Sequence, residues 1–173
     1  MTDNYPKPSV TVDTIIFALE GGQLYVLLIQ RKNEPFKDKW AFPGGFVDID
    51  EPIETAAHRE LQEETGLTGI KLEQFRCYGD PGRDPRGRTI TVSYITLLPA
   101  ISRKIKGTDD AADAQWFSVK ALPELAFDHD KVMLDALGDL RERLYSATKA
   151  GSYMEGDLQI ADLRAALAEL DRS

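Results

Sequence analysis

Residues 44–67 read GGFVDIDEPIETAAHRELQEETGL and carry seven carboxylates, Asp48, Asp50, Glu51, Glu54, Glu60, Glu63 and Glu64, against one arginine, Arg59. The second half of the stretch has the punctuation of a helix. Pro52 suits a first helical position with Asp50 or Glu51 before it as cap, and Gly66 suits the residue that ends a helix. This predicts a helix over 52–65. At about 100° per residue, Glu60, Glu63 and Glu64 share a face with Ile53, Ala56 and Ala57, while Thr55, His58, Gln62 and Thr65 lie opposite. Like charges three and four residues apart cost roughly 0.2–0.5 kcal/mol each, and more when desolvated. A face that both docks and carries three carboxylates therefore calls for a counter-ion. Hard oxygen donors in a row suit Mg²⁺ or Mn²⁺, and the lack of Cys or His partners disfavours zinc. An EF-hand loop beginning at Asp48 and Asp50 is excluded, because Pro52 takes the next ligand position and the required glycine is missing.

Outside this stretch the charge is nearly balanced. The 173 residues hold 29 acids and 21 bases, for a net charge of −8, but only 22 acids and 20 bases remain once residues 44–67 are removed. The acidity is local. An acidic chain without a basic run is a poor match for a nucleic-acid-coating protein. The length suits one domain, and the 42% hydrophobic content is that of a globular fold. No apolar run approaches the roughly 20 residues that span a bilayer. The start, MTDNYPKPSV, lacks a basic segment followed by an apolar one, so no signal peptide is expected. The single cysteine, Cys77, excludes an internal disulfide and fits a reducing compartment. Within the alternating IKLEQFRCYG it reads as a packed structural thiol. These features together predict a cytoplasmic protein with no membrane segment.

Strands are expected at 10–19, rich in β-branched residues, and at 24–29, a continuous apolar run suited to burial on both faces. Further strands are expected at 70–78, 89–98 and in AQWFSV, with an amphipathic helix over 128–145. Strands and helices mix without regular alternation, which favours a mixed α/β sandwich over a doubly wound sheet. After Tyr145 the texture changes. SATKAGSYMEGD reads as a linker and LQIADLRAALAEL as a helix, so residues 1–145 are assigned to one domain and 146–173 to a linker plus a C-terminal helix. That helix is too short to be an independent domain.

Gly45, five residues, Glu51, seven residues, then RELQEETGL over 59–67 resembles the signature of the Nudix hydrolases at all nine of its fixed positions. The preceding WAFPGG and the strand–loop–helix setting are also similar to that family. The resemblance covers about residues 10–145. It implies an α/β/α sandwich with a mixed sheet, and hydrolysis of a nucleoside diphosphate linked to another group. It further implies that Glu60, Glu63 and Glu64 hold the metals with the Gly44 carbonyl, that Glu51 supports the site, and that Arg59 orients a glutamate. Glutamates suit the task because they are acceptor-only and negative when ionised.

Substrate choice must be read outside the signature. RCYGDPGRDPRGRTITVSYI places Arg76, Arg83, Arg86 and Arg88 within thirteen residues, and Pro/Gly stiffening lowers the cost of ordering guanidiniums on a phosphate. A solvated loop with Arg83–Asp84 or Arg86–Asp84 ion pairs is the plain alternative. PGRDPRGRTITVSY and Pro81, about fifteen residues beyond the signature, resemble ADP-ribose pyrophosphatases and Nudix-related regulators of NAD metabolism. The expectation is hydrolysis of ADP-ribose to AMP and ribose 5-phosphate, with Arg31, Arg83, Arg86 and Arg88 as substrate contacts and Asp110 as a further ligand or base. Phe36 is a candidate to flank a base, Trp40 reads as core, and His129 as a surface residue near a helix start. Two alternatives stay open: an ADP-ribose-sensing transcriptional regulator, and a hydrolase of another nucleoside diphosphate derivative or an oxidised nucleoside triphosphate. A homodimer is expected from the apolar faces of SVTVDTIIF and of the helix at 157–170.

Overall fold

The computed structural model describes residues 5–102, 105, 111–150 and 160–171. The described residues form seven strands and three helices in the order β1 (Ser9–Glu20), β2 (Gln23–Arg31), β3 (Trp40–Ala41), β4 (Gly44–Phe46), α1 (Ile53–Thr65), β5 (Glu73–Tyr78), β6 (Thr89–Leu98), β7 (Ala111–Ser118), α2 (His129–Ala150) and α3 (Ile160–Leu170). The sheet runs β3-β2-β1-β6-β5, with β7 on β2 and β4 on β1. It is mixed: β1 and β6 pair in parallel from Ser9↔Thr89 to Ala18↔Leu98, and the other ladders are antiparallel. One sheet face packs Ile15, Phe17, Val26 and Leu28 on Val132, Met133, Ala136, Leu140 and Leu144 of α2 and on Ala166 and Leu170 of α3. The other packs Val12, Ile16, Leu27 and Val92 on Ala56, Ala57 and Leu61 of α1. This is an α/β/α sandwich. The unbroken apolar run of β2 follows from it, since Leu27 faces one layer while Val26 and Leu28 face the other.

The feature that makes a site is a fork. The C-terminal end of β1 pairs with β2 (Phe17↔Val26 to Glu20↔Gln23), whereas its N-terminal end pairs with β4 (Thr11↔Phe46 to Asp13↔Gly44). The strands diverge between these ladders, and Thr14 closes the apex by donating both its N–H and its hydroxyl to the Pro43 carbonyl at 2.8 and 2.9 Å. The C-terminal half of α1 lies alongside β4 here, with Glu64 accepting the Gly44 N–H.

Several expectations are corrected. Helix α1 begins with Pro52 in the capping position and no side-chain cap, since a proline side chain offers no acceptor, while Glu51 is engaged by Arg59. Gly66 ends it in the left-handed conformation, φ 74°, as its sequence position predicts. The docking face of α1 is rotated from the expected one: Thr65 is fully buried, its hydroxyl donating to the Leu61 carbonyl, and Ile53 is exposed. Cys77 is exposed because β5 is an edge strand whose register slips between Gln74 and Cys77. Residues 146–150, read as linker, continue α2. Strand β1 is a central strand of the sheet and α3 packs against the core. Among the described residues no helix is long and apolar enough to cross a membrane.

Candidate active site

Helix α1 carries its three signature glutamates along a gradient of burial. Glu64 is buried and its Oε2 accepts the Gly44 N–H at 2.8 Å. Glu60 is half-buried against Gly45, where any Cβ would overlap its carboxylate, so the absence of a side chain at 45 makes room for the acid. Glu63 is exposed. Arg59 gathers the cluster: its guanidinium donates to Glu51 at 2.5 and 3.2 Å, to Glu60 at 2.8 Å, to Glu63 at 3.1 Å and to the Phe46 carbonyl at 3.1 Å. Glu51 also accepts the Asp48 N–H at 3.0 Å. These hydrogen bonds, Arg59 first, hold the Glu51 carboxyl below its usual range. Burial pushes the Glu60 carboxyl up, and Arg59 opposes the shift without cancelling it. One arginine against four glutamates leaves strong negative charge when all are ionised. The donor chemistry therefore fits a hard divalent cation. In this arrangement no three acids among the described residues converge on one point, because Arg59 draws Glu60 and Glu63 to itself.

Arginines share a cleft with these acids. The cleft, of about 340 Å³, is lined by Gly44, Gly45, Glu60 and Glu64 and also by Arg31, Arg59 and Arg86. Arg31, at the end of β2, donates from Nε to the Pro35 carbonyl at 2.9 Å, and its guanidinium lies 4.7 Å from the Phe127 ring centroid. Burial, helped by the neighbouring charge of Arg86, lowers its affinity for its proton. Arg86 makes paired hydrogen bonds to the buried Asp84 and lies 4.9 Å from the Phe46 ring and 5.2 Å from that of Phe127. The Arg86–Asp84 pair anticipated as the plain alternative is thus formed, yet Arg86 still lines the cleft.

The other expected contacts are placed differently. Arg83 is buried and bidentate on Asp128, at 2.6 and 2.9 Å, so it fastens the 80–88 loop to the start of α2. Arg88 is exposed, donates to the Gly79 carbonyl at 2.5 Å and does not line the cleft. Asp110 lies outside the described residues. Phe36 packs at a tilt against Phe127, with ring centroids 4.8 Å apart, and Trp40 packs edge-on against Phe117 at 4.6 Å.

The polar floor was missed in the sequence. His129, expected at the surface, is buried, stacks on Phe42 and accepts the Phe42 N–H on Nδ1 at 3.1 Å. Burial holds its imidazole below the usual range, so it is neutral at pH 7 with its proton on Nε2. Asp13 is buried on β1 and accepts the Thr91 hydroxyl at 2.6 Å. One signal was available: a carboxylate in the otherwise apolar run VTVDTIIF.

The molecule is an α/β/α sandwich that gathers an acidic helix and arginines around one cleft. The chain belongs to the Nudix family: the NUDIX domain model matches residues 7–136. It is 44% identical over 131 residues to an ADP-ribose pyrophosphatase of Methanocaldococcus jannaschii, covering 76% of this chain and 74% of that protein. It is 41% identical over 146 residues to the ADPR responsive transcriptional repressor NtrR of Acinetobacter baylyi, covering 81% of this chain and 57% of the repressor. Among solved structures, the NUDIX domain of Shewanella oneidensis NrtR complexed with ADP ribose superposes with a TM-score of 0.73 at 34% identity, covering 83% of this chain and 93% of that one.

Proposed function

We propose that this chain hydrolyses ADP-ribose to AMP and ribose 5-phosphate with Mg²⁺ or Mn²⁺. The observation that carries the reading is the cleft itself, which brings Glu60 and Glu64 together with Arg31 and Arg86 in one lining. A diphosphate is inert because its charge repels nucleophiles. It enters such a cleft when cations flank it on both sides. Glu60, Glu63 and Glu64, with the Gly44 carbonyl, would hold the divalent ions. Bound there, the ions supply neutralisation of phosphate charge and a water of lowered pKa. Arg59 with Glu51 positions the acids, and Arg31 and Arg86 clamp the phosphates. Arg83 acts through the loop it fastens. The relatives named for ADP-ribose at 44% identity and bound to it at 34% support the substrate class.

The repressor at 41% identity favours a second reading, a regulator that binds ADP-ribose. The complete set of signature acids favours catalysis. The test is product analysis with ADP-ribose, nucleoside triphosphates and other nucleoside diphosphate sugars in the presence of Mg²⁺. AMP and ribose 5-phosphate from ADP-ribose, at higher kcat/KM than any other substrate, is the expected result. Binding of ADP-ribose without turnover would assign the chain to the second reading, and preference for another nucleotide would overturn the substrate.

A further inference from the structure

The cleft has a deeper annex that phosphate chemistry does not explain. Beneath Gly44, Gly45 and Arg86 lies a cavity of about 60 Å³, lined by Asp13, Arg83 and His129 together with Thr11, Ile29 and Phe42. It shares Ile29, Arg31, Gly44, Gly45, Phe46 and Arg86 with the main cleft and so opens into it. A buried carboxylate in a central strand is costly unless its lone pairs are used. Asp13 uses only part of its capacity. Its Oδ2 accepts the Thr91 hydroxyl, and Arg83, committed to Asp128, stays 4.0 Å away. Among the described residues its Oδ1 has only His129 Nε2 for company, at 3.6 Å, which is beyond a hydrogen bond. His129 Nε2 must carry the ring proton, because Nδ1 accepts from Phe42. A carboxylate oxygen, Asp13 Oδ1, and an N–H donor, His129 Nε2, therefore stand side by side in the cavity lining without a hydrogen bond between them.

That pair has a specific chemical complement. A second anion is repelled by Asp13, and the cavity, of about 60 Å³, is the smaller of the two spaces that meet here, beside the main cleft of about 340 Å³. A hydroxyl both donates and accepts. Neighbouring hydroxyls of a pentose can give a proton to Asp13 Oδ1 and accept one from His129 Nε2. We propose that Asp13 and His129 form a subsite for ribose hydroxyls of the substrate, with Asp13 the specificity-determining residue. This rests on the reading of the cleft as an ADP-ribose site. The neutral tautomer of His129 keeps the subsite selective for a hydroxyl over a phosphate.

The experiment is a cycle between protein and ligand. Wild type and Asp13→Asn are assayed with ADP-ribose, with an analogue lacking a hydroxyl on the terminal ribose, and with one lacking a hydroxyl on the adenosine ribose. For wild type, loss of the recognised hydroxyl should lower kcat/KM by about 10- to 100-fold, as expected for a hydrogen bond to a charged group. In Asp13→Asn that penalty should shrink to within about threefold, because the acceptor that reads the hydroxyl is weakened. Whichever analogue shows the coupling identifies the ribose. Inhibition by inorganic pyrophosphate, which has no sugar, should be equal in the two proteins. If Asp13→Asn does not fold, the wild-type arm still decides, since neither analogue losing more than about threefold overturns the proposal. Equal penalties in both proteins, or a parallel loss of pyrophosphate inhibition, would make Asp13 purely structural. Failure of wild type to hydrolyse ADP-ribose at all would instead overturn the substrate reading, a distinct outcome.

Discussion

Arg83→Met should unfold the protein more easily before it changes substrate recognition. The Arg83 side chain is only 5% exposed, and it meets Asp128, 18% exposed, through two hydrogen bonds at 2.6 and 2.9 Å. Methionine keeps much of the volume and removes the charge, so the perturbation falls on Asp128. Removing one partner of a buried pair costs about 3–5 kcal/mol, chiefly from the stranded charge. Because Asp128 keeps some solvent, the low end, about 3 kcal/mol, is the expectation here. For a chain of this size that corresponds to a fall in Tm of about 6–12 °C. Thermal denaturation at pH 7 measures it, with Arg88→Ala as control. Arg88 is exposed and should shift stability by no more than about 0.5 kcal/mol. Pairing Arg83→Met with Asp128→Asn removes the stranded charge and should recover a large part of the loss. An unchanged Tm for Arg83→Met, or a double variant no more stable than the single one, would refute the assignment of this arginine to loop fastening.

Glu64→Gln should lower kcat by several orders of magnitude while the far-ultraviolet spectrum and cooperative melting persist, and near-wild-type turnover would count against the acidic helix as the metal site. Gly44 and Gly45 should behave differently under the same substitution. A Cβ at 44 would overlap the Val12 carbonyl, backbone that cannot give way, whereas one at 45 would overlap only the mobile end of Glu60. Gly44→Ala should therefore impair folding, and Gly45→Ala should keep the fold but lose Mg²⁺-dependent activity; the reverse pattern in melting curves would refute this. His129 titrates below its unfolded value, so the native state binds fewer protons than the unfolded chain between the two pKa values. Its contribution is complete above about pH 6.5, the unfolded value, and is lost as pH falls toward the folded one, at a slope of at most about 1.4 kcal/mol per pH unit. Urea unfolding of His129→Asn should be flatter over that window than wild type, and parallel pH profiles would refute it.

What the sequence by itself determined is what depends on local spacing. The Gx5Ex7REUXEEXGU pattern at 45–67 placed the acids, and Gly66 marked where α1 stops because a left-handed residue ends a helix there. The apolar run of β2 announced a strand covered on both faces, and the mixing of strands and helices announced the sandwich. Contacts between distant segments were decided only by the tertiary structure. Arg83 and Arg86 look alike in DPGRDPRGR, yet one reaches forty-five residues ahead to Asp128 and the other two residues back to Asp84. His129 looked like a surface residue until α2 laid it on Phe42, and Cys77 looked buried until β5 proved to be an edge. Asp13 lies on a strand that pairs with β2 at one end and β4 at the other, and the cavity exists because those two ladders diverge. The physical reason is that a motif fixes which groups are present and their order on one helix. The free energy of a buried charge depends on what distant chain is folded against it, and no local pattern carries that.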